Sequence, residues 1–191
     1  MARRIALLSL LVAGSVAITG CTINIGTAGD DRHGMMNQND DSEYSSQDIM
    51  FAQMMIPHHQ QAVDMGTLAE TRASNPEVKT IAAQIKSEQA PEIEQMKSWL
   101  DASNSGMHMG HEMGMDGMLS DAEMKKLENA SGAEFDKLYV AGMIGHHEGA
   151  VQMAQMVLLS DNSEAKALGE AIVESQTKQI TYLKGLLAKL G

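Results

Sequence analysis

Apolar residues near the end of the chain recur at Ala165, Leu168, Ile172, Ile180, Leu183 and Leu187. Steps of three and four place them on one face of a helix. Strand alternation is absent, and the helix signals are local and chemical. Ser45 with Asp48 starts a first helix, with a hydroxyl to cap free N–H groups and an acid in the first turn. Asn75-Pro76 stops it and starts a second, because proline at the first helical position loses no hydrogen bond. That second helix runs to about Leu100, and Pro91 within it predicts a kink. Ser120 with Glu123 reads as a capping box for a short helix, and Ser131 with Glu134 as another for a third long helix. Asp161-Asn162 opens the last helix, which runs to near Leu190.

The pattern repeats. DIMFAQMMIPHHQQAVDM (Asp48 to Met65) aligns with DKLYVAGMIGHHEGAVQM (Asp136 to Met153), setting His58-His59 on His146-His147. After a one-residue gap Asn75 meets Asn162, Gln89 meets Gln176, Ile93 meets Ile180 and Lys97 meets Lys184. Each copy holds two helices, so the reading is an all-α four-helix bundle built from two repeated hairpins. The bundle is expected over residues 47–191. The first hairpin takes 47–102, a Met/His-rich loop 103–119, and a short helix with the second hairpin 120–191.

Ahead of the bundle, Arg3 and Arg4 precede an apolar run, Ile5 to Ile18, which is too short to span a bilayer. This predicts a secretory signal over residues 1–20. The single cysteine, Cys21, follows Thr19-Gly20 and resembles the acylated cysteine of a bacterial lipobox, predicting an exported chain anchored to the membrane by lipid and facing outward. The Gly, Asn, Asp and Ser of residues 21–46 read as a flexible tether.

The net charge of −11 becomes −13 without Arg3 and Arg4. Such a chain repels nucleic acid, which sets that class of partner aside. Aromatics make up 3% of residues while methionines number 17. Methionine fills cores, and its thioether is also a soft ligand that selects Cu(I).

The paired histidines are the first candidate chemistry. Helical neighbours point about 100° apart, so the two rings of each pair face different ways. His58 shares a stripe with Met54 and Met65, His59 with Met55, His147 with Met143, and His146 with Met153. Two-fold packing of the hairpins would gather four imidazoles. Asp48 and Asp136 are candidate outer partners that orient an imidazole, or simply first-turn acids. Glu88 and Glu92 on the second helix are further candidates, and their counterparts Ser175 and Gln179 are not acids. A second constellation is the glycine-rich loop with Met107, His108, Met109, His111, Met113, Met115 and Met118. Glycine disfavours helix there, so these methionines have no core to fill. Soft sulfur with imidazole suits Cu(I) and Ag(I).

The segments MIPHHQQAVDM and MIGHHEGAVQMA resemble the domain-of-unknown-function 305 family, and the likeness runs from Asp48 to about Leu187. The resemblance implies a ferritin-like helical bundle, some of whose members bind copper outside the cytoplasm. It makes Met54, Met55, His58, His59, Met143, His146 and His147 candidate ligands. Gly142 stands where the first copy has Met54.

The leading expectation is a non-enzymatic, lipid-anchored protein that sequesters or chaperones copper, with a copper-delivery or efflux protein as a possible partner. A ferritin-like oxidase is disfavoured, because the Glu-x-x-His motif of di-iron bundles is missing: Met55, Ile56, Met143 and Ile144 occupy the glutamate positions. Zinc held by imidazole and carboxylate would account for the histidine pairs without the methionines. A lipoprotein that binds a protein partner and no metal would account for neither.

Overall fold

A computed structural model describes residues 43–107 and 116–191. The described part is helical: α1 (Ser46–Arg72), α2 (Pro76–Ala102), α3 (Asp121–Asn129), α4 (Gly132–Ala154, continued by a 3-10 turn over Gln155–Val157) and α5 (Ser163–Leu190). Among the described residues there is no strand, and no helix is long and apolar enough to cross a membrane. The expected signal, acylated cysteine and most of the tether lie outside the described residues. Tyr44 and Ser45, counted with the tether on sequence, belong to the bundle. Tyr44 is buried and stacks on Trp99 with ring centroids 5.2 Å apart, and Ser45 caps α1.

The helix starts follow from local chemistry. Ser45 with Asp48 and Ser120 with Glu123 form reciprocal capping boxes, while Asn75 and Asn162 accept from the N–H groups of Glu77 and Glu164. One expected box fails. Ser131 makes no side-chain cap bond, because Gly132 follows at φ +64 and turns the chain away from the geometry that a serine cap needs. α2 continues as helix through Pro91 to Ala102. The residue missing from the second copy falls in the stretch where α4 gives way to the 3-10 turn and the loop before Asn162.

Each hairpin closes tightly, α1 on α2 and α4 on α5, and the hairpins join along α1 and α4. Small residues set the close crossings. A Cβ on Gly66 would lie 3.2 Å from the Ala82 carbonyl, and one on Gly169 would lie 2.6 Å from Val157. Between α2 and α5 a groove of about 570 Å³ remains open. The core divides into two apolar clusters. One gathers Phe51, Met55, Met96, Trp99, Met153 and Ile172, and the other Met65, Ile85, Phe135, Tyr139, Met143 and Leu183. Truncating a fully buried aromatic such as Phe51 to alanine costs about 3–5 kcal/mol. Along α1, His58 and His59 stand between Met55 of the first cluster and Met65 of the second. Along α4, His146 and His147 stand between Met143 of the second and Met153 of the first. The histidines form a polar belt across the waist of the bundle.

Candidate metal centre

All four histidines of the belt are fully buried. His58 of α1 and His146 of α4 meet across the hairpin interface with ring centroids 3.8 Å apart and planes tilted by 39°. His59 and His147 lie on the outer sides, 6.4 and 6.2 Å from their sequence neighbours. Loss of hydration on burial pushes His58 down to about 3, with His59 and His147 adding repulsion. Burial, then the charges of the other three rings, holds His146 well below the ordinary imidazole range. His147 is lowered to about 4, again chiefly by burial. At neutral pH these three rings carry no proton charge, so their lone pairs are available.

The outer rings are each held by α2 or α5. His59 Nε2 donates to Glu92 Oε2 at 2.7 Å. His147 Nε2 donates to Gln179 Oε1 at 2.7 Å, and the amide of Gln179 donates to Glu88 Oε2 at 2.7 Å, which fixes which way that amide points. The network assigns the proton of His147 to Nε2 and its lone pair to Nδ1, and gives His59 the same Nε2–H donor. That Nδ1 is buried without a partner in both. Both nitrogens of His58 and both of His146 also lack a well-aligned hydrogen bond, so six of the eight ring nitrogens are without one among the described residues, although the Asp116 backbone comes within reach of the His58 ring and the His58 backbone within reach of the His146 ring. Buried polar atoms are rarely left so, at a cost of about 1–3 kcal/mol each. An imidazole fixed through one nitrogen to a carboxylate or carbonyl, with the other nitrogen bare, is how proteins prepare a metal ligand. The donor set therefore fits a borderline-to-soft ion.

The remaining candidates fall as follows. Met55, Met65, Met143 and Met153 are buried in the clusters that flank the belt, and Met54 is half-buried against the first of them. Met107 is exposed and Met118 half-buried. His108, Met109, His111, Met113 and Met115 lie outside the described residues. Asp48 accepts from Ser45 in the α1 capping box, leaving its Oδ1 buried and unpartnered. Asp136 accepts from Ser74 N, Ser74 Oγ and Asn75 N at 3.1, 2.5 and 2.9 Å. It reaches the other hairpin, where it ties down the α1–α2 turn. Neither aspartate hydrogen-bonds an imidazole. Among the described residues no three His, Cys, Asp or Glu side chains converge to hold an ion.

The family model of a domain of unknown function, DUF305, matches residues 48–187. The chain belongs to the DUF305 family. No curated protein gives a significant match. A DUF305 protein from Streptomyces coelicolor is 36% identical, with 76% of this chain and 94% of that one covered and a TM-score of 0.72. A DUF305 fragment from Deinococcus radiodurans is 28% identical, with 76% and 98% covered and a TM-score of 0.71. CopM in its Cu(II)-bound form is 32% identical, with 75% and 97% covered and a TM-score of 0.63. CopM structures also exist in Cu(I)-bound and Ag-bound forms.

In this DUF305 chain, two kinds of residue escape sequence reasoning. Gln179 lacks the carboxylate of its counterpart Glu92 and so looks like a lost acid, although its register in the repeat is a signal that it holds His147. Gln61 grips the backbone of Leu119, donating to its carbonyl at 2.9 Å and accepting from its N–H at 2.8 Å. No local pattern announces that long-range contact.

Proposed function

We propose that this DUF305 protein binds copper outside the cytoplasm, held at the membrane through Cys21, and that it sequesters or relays the ion without transforming it. The observation that carries the reading is the buried His58–His146 contact, whose four ring nitrogens lack a well-aligned hydrogen bond, at the centre of a belt flanked by thioethers. Imidazole and thioether together favour Cu(I) over harder ions. The likeness to CopM, with its copper-bound and silver-bound forms, supports the same ion. Zinc held by imidazole and carboxylate would leave the flanking thioethers unused. Export draws support from the likeness to an S. coelicolor protein described as secreted. Binding rather than catalysis rests on the missing Glu-x-x-His motif.

An anaerobic Cu(I) competition titration of the chain from Thr22 onward tests the reading. It is run beside a variant lacking Gly106 to Met118 and a variant with His58, His59, His146 and His147 changed to alanine. Tight binding that falls in both variants supports copper handling by bundle and loop. Affinity no greater than that of an unrelated methionine-bearing helical protein would sink it.

A further inference from the structure

The His58–His146 pair is fully buried, so an ion can reach it only if something moves. Helix walls are costly to open. One wall element is not a helix. The turn Asp116–Leu119 lies across the seam between α1 and α4. The Asp116 backbone faces the His58 ring. The same turn presses on α4 backbone to backbone: a Cβ on Gly149 would lie 1.9 Å from the Asp116 carbonyl oxygen. Gly117 sits at φ +89, where glycine is the favoured residue, and a Cβ there would lie 2.4 Å from the Gly145 carbonyl oxygen. On the α1 side Gln61 pinches both backbone groups of Leu119. Eight residues earlier on α1, about 12 Å along the helix, Gln53 donates to the Gly106 carbonyl at 2.7 Å. The chain thus returns to α1 on either side of His58.

The two helices divide the labour through a difference between the repeats. Position 61 of the first copy is glutamine, and the matching position of the second, 149, is glycine. The glutamine supplies the grip and the glycine supplies the room. We propose that Gln61, Gly117 and Gly149 are positioning residues that latch the Asp116–Leu119 turn over the His58–His146 pair, and that soft monovalent ions, Cu(I) or Ag(I), enter and leave by displacing this turn. The proposal rests on the copper reading for the identity of the ion. The access route is a property of the protein alone.

The test compares wild type with Gln61→Ala, Gly149→Ala and, as a control, Gly145→Ala. A Cβ at Gly145 meets nothing within 4 Å, so that variant leaves the turn in place. Three rates are read: hydrogen exchange at the Leu119 amide, carbethoxylation of His58 and His146 by diethyl pyrocarbonate, and Cu(I) transfer to and from a chromophoric chelator. Loss of two neutral hydrogen bonds raises all three by about tenfold or more in Gln61→Ala. Gly149→Ala behaves alike and Gly145→Ala matches wild type. Entry and exit of Cu(I) speed up together, so affinity changes far less than the rates. Carbethoxylation that stays at the wild-type rate while the Leu119 amide exchanges freely overturns the latch. So does Cu(I) transfer that is insensitive to both variants but slowed by Glu88→Gln, which would place the route in the α2–α5 groove. Absence of Cu(I) uptake in wild type overturns the copper reading, and carbethoxylation still decides the route.

Discussion

The two hairpins hold the same pair of histidines on the same pair of helices, and they differ in what stands behind the outer ring. In the first, Glu92 presents a carboxylate directly to His59. In the second, the corresponding residue is Gln179, which passes the contact on to Glu88 of the other hairpin. A carboxylate makes the ring behind it a stronger electron donor than an amide does. The aspartates diverge in the same spirit. Asp48 serves its own helix, while Asp136 binds the opposite hairpin at Ser74 and Asn75. Duplication kept the histidine positions matched and let their supports diverge, so one repeat supplies a directly backed ring and the other supplies cohesion between hairpins.

Acid should break the comparison most severely, because it acts on both halves at once. His58, His146 and His147 resist protonation in the fold, whereas the unfolded chain takes up these protons below about 6.5. Stability of the metal-free protein is therefore complete above that pH and falls as pH drops towards 4. Each such histidine contributes about 1.4 kcal/mol per pH unit within the window. Urea denaturation across pH 7 to 4.5 should show a steep loss, and changing His58 and His146 together to glutamine should flatten it. A pH-independent midpoint would mean the rings are not held neutral.

The next effect separates the aspartates. Asp136→Ala strips three donors of a charged acceptor at the hairpin junction and should cost about 4 kcal/mol. Asp48→Ala loses half of a capping box and should cost about 1 kcal/mol. Equal shifts in the urea midpoint would show that the α1–α2 turn does not depend on the opposite hairpin.

The parts of this structure that were legible in the sequence are those fixed by local chemistry or by the repeat. Caps at Ser45, Asn75, Ser120 and Asn162 act within a few residues, so their letters suffice. Ser131 carries the same letters and fails, because the glycine after it takes a backbone conformation that serine capping does not anticipate. The repeat register correctly opposed Glu92 to Gln179, and the structure sets them on His59 and His147. The contact of His58 with His146 depends on how α1 and α4 rotate against each other, which periodicity leaves open. The grip of Gln61 on Leu119 spans 58 residues and has no signature in either segment.

The smallest effect is the most informative about the centre itself. Glu92→Gln gives the first hairpin the support of the second and should weaken Cu(I) binding by about tenfold, the usual loss when an outer partner of a ligating imidazole is weakened. The reverse change, Gln179→Glu, does not simply do the opposite. Gln179 donates to Glu88, so a glutamate there would face a second carboxylate across the 2.7 Å now spanned by a hydrogen bond. One of the two would hold a proton, and the gain at His147 would be muted. Pairing Gln179→Glu with Glu88→Gln restores a donor opposite the new carboxylate and should raise affinity by several-fold where the single change does not. The measurement is the Cu(I) competition titration, run on the single and double variants at one pH. Equal affinities for both would mean that His147 does not contribute to Cu(I) binding.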